Sequence, residues 1–181
     1  MGPFPVTLVA RIFGLGYGDQ VRLMKRRMTL LVLFLLFSRT DAFCFTGEVV
    51  GILAAGTLEV VRNGKTERIG LQGIDCPELS QPYGNEAKQA TSDLAFARKV
   101  TIEPYGKDKY GRVMAEVQLT DGTNINHELV KAGWCWWSRK LAPNNAALEQ
   151  LELEAKAAQK GLWVDPAPIP PWEYRKARRR P

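Results

Sequence analysis

The sequence predicts a small β-rich domain of the α+β class. Five segments alternate apolar and polar residues or are rich in β-branched side chains, as strands are. Segments with apolar residues at helical spacing follow the third and the fifth of these strands, and a further one lies near the end. This order is typical of a five-stranded Greek-key barrel, the OB-fold, with about three helices.

The strands are placed by their alternation and by the turn residues between them. The first three form an antiparallel meander, in which Asn63-Gly64 is the strongest hairpin signal. Asp121-Gly122 marks a turn after the fifth strand. The predicted strands are 46–53, 57–62, 66–74, 100–103 and 113–119.

Each predicted helix begins at a residue that can cap it. The second helix ends at Gly133 and the third before Gly161, because glycine is common just after a helix C-terminus. The predicted capping residues are Asn85, Asn124 and either Asn144 or Asn145.

The first 42 residues carry the pattern of a secretory signal. A nine-residue apolar run at 29–37 follows Lys25-Arg26-Arg27, and small residues lead up to a predicted cleavage after Ala42. Met24 is a natural start, so 1–23 is interpreted as an over-long start. The alternative is an uncleaved membrane anchor, although the run is short for a bilayer span. We therefore expect a secreted or periplasmic protein without stable membrane association.

The remaining chain divides into a domain at 43–163 and a proline-rich strap with a basic tail at 164–181. The formal charge of +6 lies mostly outside the domain, because residues 43–172 hold 14 basic and 16 acidic residues. The overall basic charge is therefore no argument for a basic binding face on the domain. The tail from Glu173 has the composition of a solvated end that adds non-specific affinity for phosphates.

Three cysteines cannot all pair within one chain. Cys76 and Cys135 both lie inside the domain near predicted element ends, so they are the favoured pair, and Cys44 is left over. With one histidine and no Cys-x-x-Cys motif, a zinc site is not expected.

Two carboxylates follow the third strand at a corner of the chain. Pro77 lacks an amide hydrogen and ends the strand, which leaves Asp75 and Glu78 where the strand becomes a loop. Such oxygens suit a hard cation or a general base. The alternative interpretation is a surface turn with two solvated acids.

A set of short motifs decides between these interpretations. In their order and spacing, over about residues 45–175, the chain resembles the staphylococcal nuclease (thermonuclease) family. The motifs are Gly73-Ile74-Asp75-Cys76-Pro77-Glu78, Gln81-Pro82-Tyr83-Gly84, Asp108-Lys109-Tyr110-Gly111-Arg112, Gly133-Trp134, Gly161-Leu162-Trp163 and Pro171-Trp172-Glu173.

The resemblance implies a calcium-dependent phosphodiesterase. In the family, two aspartates and a backbone carbonyl hold the ion, a glutamate is the general base, and two arginines clamp the phosphate. The matching positions here are Asp75 and the Cys76 carbonyl for the ion, Glu78 and Arg112 for catalysis, and Lys109 and Tyr110 for the nucleotide.

Two of the site residues that the resemblance implies are missing. Gly56 stands where the family has its first metal-binding aspartate, and Gly70 stands where it has the second phosphate arginine. Arg68 lies two residues before Gly70 on the same strand face and is a poor substitute. The calcium site is therefore expected to be weakened.

Because some of the implied site residues are present and others are missing, two functions are possible. One is a monomeric nuclease of strongly reduced activity that hydrolyses DNA and RNA without sequence preference. The other is a catalytically inactive module that binds nucleic acid or a protein. The five tryptophans are open to two interpretations, a stacking surface for bases or anchors in the core and strap.

Overall fold

The computed structural model of the protein describes residues 44–179. The predicted signal segment and its cleavage site lie outside the described residues. Within residues 44–179, no helix combines the length and the apolar character needed to cross a membrane.

Five strands close into a barrel, which confirms the predicted fold. Neighbouring strands in the barrel follow the order β1-β2-β3-β6-β5, and β5 pairs with β1 to close it. Only the β3–β6 pair among them is parallel. The barrel strands are β1 (Phe45–Ala54), β2 (Thr57–Arg62), β3 (Lys65–Leu71), β5 (Lys99–Lys107) and β6 (Val113–Leu119).

Alternation along the strands fills the barrel with branched apolar side chains. At the β2–β3 hairpin, Asn63 and Gly64 both have positive φ, as the predicted tight turn requires. Pairing of Thr57 with Gly70 places the start of β2 beside the end of β3. The fully buried barrel residues include Val49, Leu58, Val60, Ile69, Ile102 and Val117.

A short two-stranded sheet outside the barrel carries the acidic corner. It pairs β4 (Ile74–Asp75) with β7 (Trp136–Trp137). The buried carboxylate of Glu152 accepts a hydrogen bond from the Trp137 amide at 3.1 Å, which fixes β7 against a helix.

The described part of the chain has four α-helices rather than the three predicted. The second and third begin after Asn124 and Asn145, and both asparagine side chains accept the expected capping hydrogen bond. The four are α1 (Gly84–Ala95), α2 (Ile125–Lys131), α3 (Ala146–Ala157) and α4 (Pro171–Arg178), with a 3-10 turn at Gly161–Val164.

The first helix starts before the predicted Asn85 cap. It begins at Gly84, and the preceding Tyr83 has a φ of 66° without a side-chain cap. A Cβ at Gly84 would collide with the Glu78 carbonyl oxygen, so the first turn of the helix packs closely on the acidic corner.

The fourth helix corrects the expectation of a solvated basic tail. Pro171 opens α4 at the first helical position, which suits proline. The Trp136 and Trp172 rings lie 6.5 Å apart, and Tyr174 Oη donates to the Ser80 carbonyl at 2.7 Å. The helix is therefore attached to the domain, beside the acidic corner.

Candidate functional site

The corner that carries Asp75 and Glu78 is fixed on both sides. On one side Asp75 pairs with Trp136 in the short sheet. On the other, a disulfide joins Cys76 to Cys135, as the sequence predicted. The two acids therefore stand on a cross-linked backbone, which limits how far their carboxylates can move.

Buried Gln81 holds the loop after the corner. Its side-chain oxygen accepts from the Glu78 amide at 3.2 Å, and its amide group donates to the Ile169 carbonyl of the strap. The Gln81 amide donates back to the Glu78 carbonyl at 2.9 Å. One side chain thus connects the Glu78 loop to the segment that precedes α4.

The guanidinium of Arg112 reaches the same region from the start of β6. Asp108 accepts from Arg112 Nε at 2.8 Å, and Arg112 Nη1 donates to Thr57 Oγ1 at 2.8 Å. Partial burial raises the pKa of the Asp108 carboxyl, but hydrogen bonds from Arg112 and Tyr110 outweigh it and leave the pKa lowered. Asp108 therefore stays ionised and orients the arginine.

The predicted site residues line one shared cleft of about 740 Å³. Its acidic residues come from the corner, and its basic residues come from β3, the loop before β6, the segment after β7, and α4 with the residue that follows it. Its lining includes Gly56, Arg68, Asp75, Cys76, Glu78, Lys109, Tyr110 and Arg112, together with Lys140, Arg175 and Arg179.

A residue that sequence reasoning missed occupies the acidic corner. Arg175 of α4 forms a bidentate pair with Asp75, with hydrogen bonds of 3.1 and 2.6 Å, and also donates to Glu78 at 2.8 Å. Hydrogen bonding to Asp75 raises the pKa of Arg175, against partial burial, which lowers it. The one feature of the sequence near Arg175 that could have pointed to it is the Pro171-Trp172-Glu173 motif, which ends two residues earlier.

The two glycines at the missing positions differ in the space around them. A Cβ at Gly56 would meet Cys76 Sγ at an ordinary 3.5 Å. A Cβ at Gly70 would lie 2.6 Å from Met114 Sδ, and 3.7 Å from Arg112 Cζ. An aspartate therefore has room at Gly56, whereas a side chain at Gly70 requires Met114 to move.

The calcium site implied by the resemblance does not fit these residues as they stand. Calcium takes six to eight oxygen ligands, roughly, in protein sites. Both Asp75 oxygens are hydrogen-bonded to Arg175, and Gly56 supplies no carboxylate. Within residues 44–179, no group of three or more acids, histidines or cysteines is placed to hold a metal ion.

The remaining predicted residues lie at the rim of the cleft. Tyr110 is 69% exposed, and Lys109 Nζ lies 4.9 Å from the centre of its ring. Arg68 pairs with Glu59 across the β2–β3 ladder at 3.6 Å and is also largely exposed. These side chains can meet a bound chain, but Arg68 does not fill the place left by Gly70.

The tryptophans divide between core and surface. Trp136 and Trp137 are buried and act as packing residues, so they offer no face to a base. Trp172 is 42% exposed and lines a second groove of about 540 Å³ with Leu141 and Arg175. Of the tryptophans in the described chain, Trp172 is thus the one placed beside the acidic corner with an exposed ring.

Comparisons with known proteins identify a family and several relatives. The family described as "Staphylococcal nuclease homologue" matches residues 68–165. A protein of Shigella flexneri named "Micrococcal nuclease" is 39% identical over 142 residues, or 74% of this chain and 82% of its own length. An "Uncharacterized endonuclease" of Escherichia coli is 35% identical over 150 residues, which cover 83% of this chain and 97% of that protein.

Proposed function

Because the chain belongs to the staphylococcal nuclease homologue family, we propose that it is a nuclease that hydrolyses phosphodiester bonds of DNA and RNA. The observation that carries the proposal is the common cleft, which is lined by Asp75, Glu78 and Arg112 together. A base and a cation in one cleft are what attack of water on a phosphodiester needs.

Glu78 is the proposed general base. One of its carboxylate oxygens accepts from Arg175, and within the described chain the other accepts no hydrogen bond. That second oxygen can take a proton from a water molecule that attacks phosphorus. The Glu78 side chain is 41% exposed, so water reaches it without a conformational change.

Arg112 is the proposed phosphate ligand. Two of its donors hold Asp108 and one holds Thr57, and a guanidinium has five. The two remaining donors can bind phosphate oxygens as negative charge develops on them. Because Asp108 and Thr57 already fix the side chain, binding substrate costs little further ordering.

The proposed activity is low. Gly70 supplies none of the charge that the family's second arginine supplies, and loss of one such donor typically costs a factor of about 10²–10³ in rate. Calcium, which the resemblance implies, lacks a fitting ligand set here, so no step of the proposed reaction depends on it.

The proposal extends to sequence preference, compartment and oligomeric state. Contacts from Arg112, Lys109 and other cations to phosphates carry no sequence information, which supports action without sequence preference. The Cys76–Cys135 disulfide supports export to an oxidising compartment, secreted or periplasmic. We also propose that the protein acts as a monomer.

Substitution of Glu78 tests the function. The assay follows cleavage of labelled single-stranded DNA and RNA with calcium present. Wild-type protein is expected to cleave slowly, and Glu78→Gln to lower the rate by about 10²-fold or more. Glu86→Gln, at an exposed acid on α1, is the matched control and should leave the rate unchanged.

The second candidate function is a binding module without catalysis, favoured by Gly56 and Gly70. It predicts no cleavage by wild-type protein, together with oligonucleotide binding that weakens as salt rises. Equal cleavage by wild type and Glu78→Gln contradicts both candidates, because it assigns the activity to some other group.

A further inference from the structure

Arg175 stands where the proposed reaction needs a positive charge. We propose that Arg175 is the built-in cation of the site: it holds Asp75 and Glu78 in place and binds the substrate phosphate. This inference rests on the proposed function, and it gives a role to a residue outside the matched family segment, which ends at residue 165.

The hydrogen bonds of Arg175 leave a complete edge of its guanidinium for a ligand. Nη1 donates to both Asp75 and Glu78, and Nη2 donates once to Asp75. Of the five donors, the Nε hydrogen and the second Nη2 hydrogen have no partner within residues 44–179. These two point the same way from one edge of the planar group, which matches two oxygens of a phosphate.

The helix that carries Arg175 is attached to the acidic corner itself. Tyr174 Oη and Arg178 Nη1 both donate to Ser80, at 2.7 Å each, and Gln81 donates to the Ile169 carbonyl. Ser80 and Gln81 directly follow the Glu78 loop. Arg175 is therefore held to the same backbone as the acids, as expected for a positioned ligand group.

Arg175 reduces the repulsion that the acidic corner exerts on an anion. Asp75 and Glu78 carry two negative charges, which would repel a phosphodiester approaching Arg112 from this side. Arg175 reduces the net charge of the corner from two negative charges to one, and it offers donors where the acids offer none. It thus compensates in part for the guanidinium missing at Gly70.

The same contacts determine whether the acidic corner can bind a divalent ion. A calcium ion needs the Asp75 oxygens that Arg175 holds, and the two cations would repel each other at this distance. Removal of the guanidinium should therefore free a carboxylate pair for a divalent ion. Arg175 thus both binds phosphate and excludes calcium.

The test compares Arg175→Gln with Lys176→Gln, which removes the same charge from the same helix at an exposed position. Binding of a fluorescein-labelled oligodeoxythymidylate is measured by anisotropy in chelator, and binding of calcium by calorimetry. Both readouts are independent of cleavage, so an inactive wild-type protein would overturn the proposed function without affecting this test. Circular dichroism confirms that each variant is folded.

Arg175→Gln is expected to weaken oligonucleotide binding by about 10-fold or more, since a charged hydrogen-bond pair is lost. It is also expected to create a calcium site with a Kd of about 10⁻⁴–10⁻³ M that wild type lacks. Arg175→Lys keeps the positive charge but loses the paired N–H donors of the guanidinium, so its affinity for the oligonucleotide should stay below that of wild type.

Three results would overturn the inference. The first is oligonucleotide affinity of Arg175→Gln equal to that of Lys176→Gln. The second is equal calcium binding by wild type and Arg175→Gln. The third is full affinity in Arg175→Lys, which would show that a point charge is enough.

Discussion

Asp75 and Asp108 are each paired with an arginine, but the two pairs have different roles. Asp108 orients Arg112 from behind and leaves donors for a ligand. Asp75 is itself a proposed site residue, and its guanidinium comes from the far end of the described chain. Arg112 and Arg175 thus both line the cleft, and each is fixed by an acid.

The lowered pKa of Asp108 predicts how stability responds to acid. Because the folded pKa lies below the unfolded value of about 3.9, the carboxylate stabilises the fold above about pH 4. This contribution is lost as pH falls through the folded pKa. Asp108→Asn should lower the free energy of unfolding by about 1 kcal/mol at neutral pH, and by less below about pH 4.

Urea unfolding of wild type and Asp108→Asn, repeated at several pH values, checks this prediction. Asparagine can still accept the Tyr110 and Arg112 amides, so the comparison isolates the charge. A difference between the two proteins that stayed constant, or that grew on acidification, would show that Asp108 is not stabilised as a carboxylate.

The helices show which local signals the sequence carries and which it does not. Asn124 and Asn145 are caps because their side-chain oxygens are adjacent to the amides that need a partner, and such signals span a few residues. The start of α1 differs from the prediction: Gly84 in its first turn packs on the Glu78 carbonyl, a contact that apolar spacing does not report.

Helix α4 was missed for a related reason. Its sequence is mostly charged, which by composition resembles a solvated end. Its docking depends on partners about 94–100 positions earlier in the chain, including Ser80 and Asp75. The acidic corner itself could be predicted, because Asp75, Pro77 and Glu78 lie within one short motif.

The cap of α3 gives a direct test of local structure. Sequence reasoning left Asn144 and Asn145 as alternatives, and Asn145 accepts from the Leu148 amide at 3.0 Å. Asn145→Ala should lower the free energy of unfolding by about 1 kcal/mol, since it leaves that amide without its partner.

Asn144→Ala is the matched control for the cap, because Asn144 is an exposed neighbour of the same type. Its effect should stay within about 0.5 kcal/mol. Thermal or urea unfolding of both variants gives the two changes in the free energy of unfolding. A larger loss for Asn144→Ala would show that the helix begins one residue earlier.

Over the whole molecule, the barrel brings together groups that the sequence keeps apart. The β2–β3 register places Thr57 beside Gly70, and Arg112 at the start of β6 reaches Thr57. The five-stranded barrel could be predicted, because five strand segments with helices after the third and the fifth are typical of it. The basic charge of the C-terminal segment could not be assigned to the cleft, although Arg175 and Arg179 line it.

The proposed phosphodiester site takes its positive charge from side chains. Arg112 and Arg175 supply it, whereas Gly56 and the pairing of Asp75 remove the ligands that calcium would need. Cleavage should then depend on these residues and not on the divalent ion in the buffer.

The most direct test is the initial rate of cleavage of a labelled single-stranded oligonucleotide, measured in excess chelator and in calcium at about 10 mM, well above the range of weak protein sites. Because side chains supply the positive charge, rates in the two buffers should agree within about twofold, and Glu78→Gln should abolish cleavage in both. Cleavage that required calcium and stopped in chelator would show that the site depends on a metal ion.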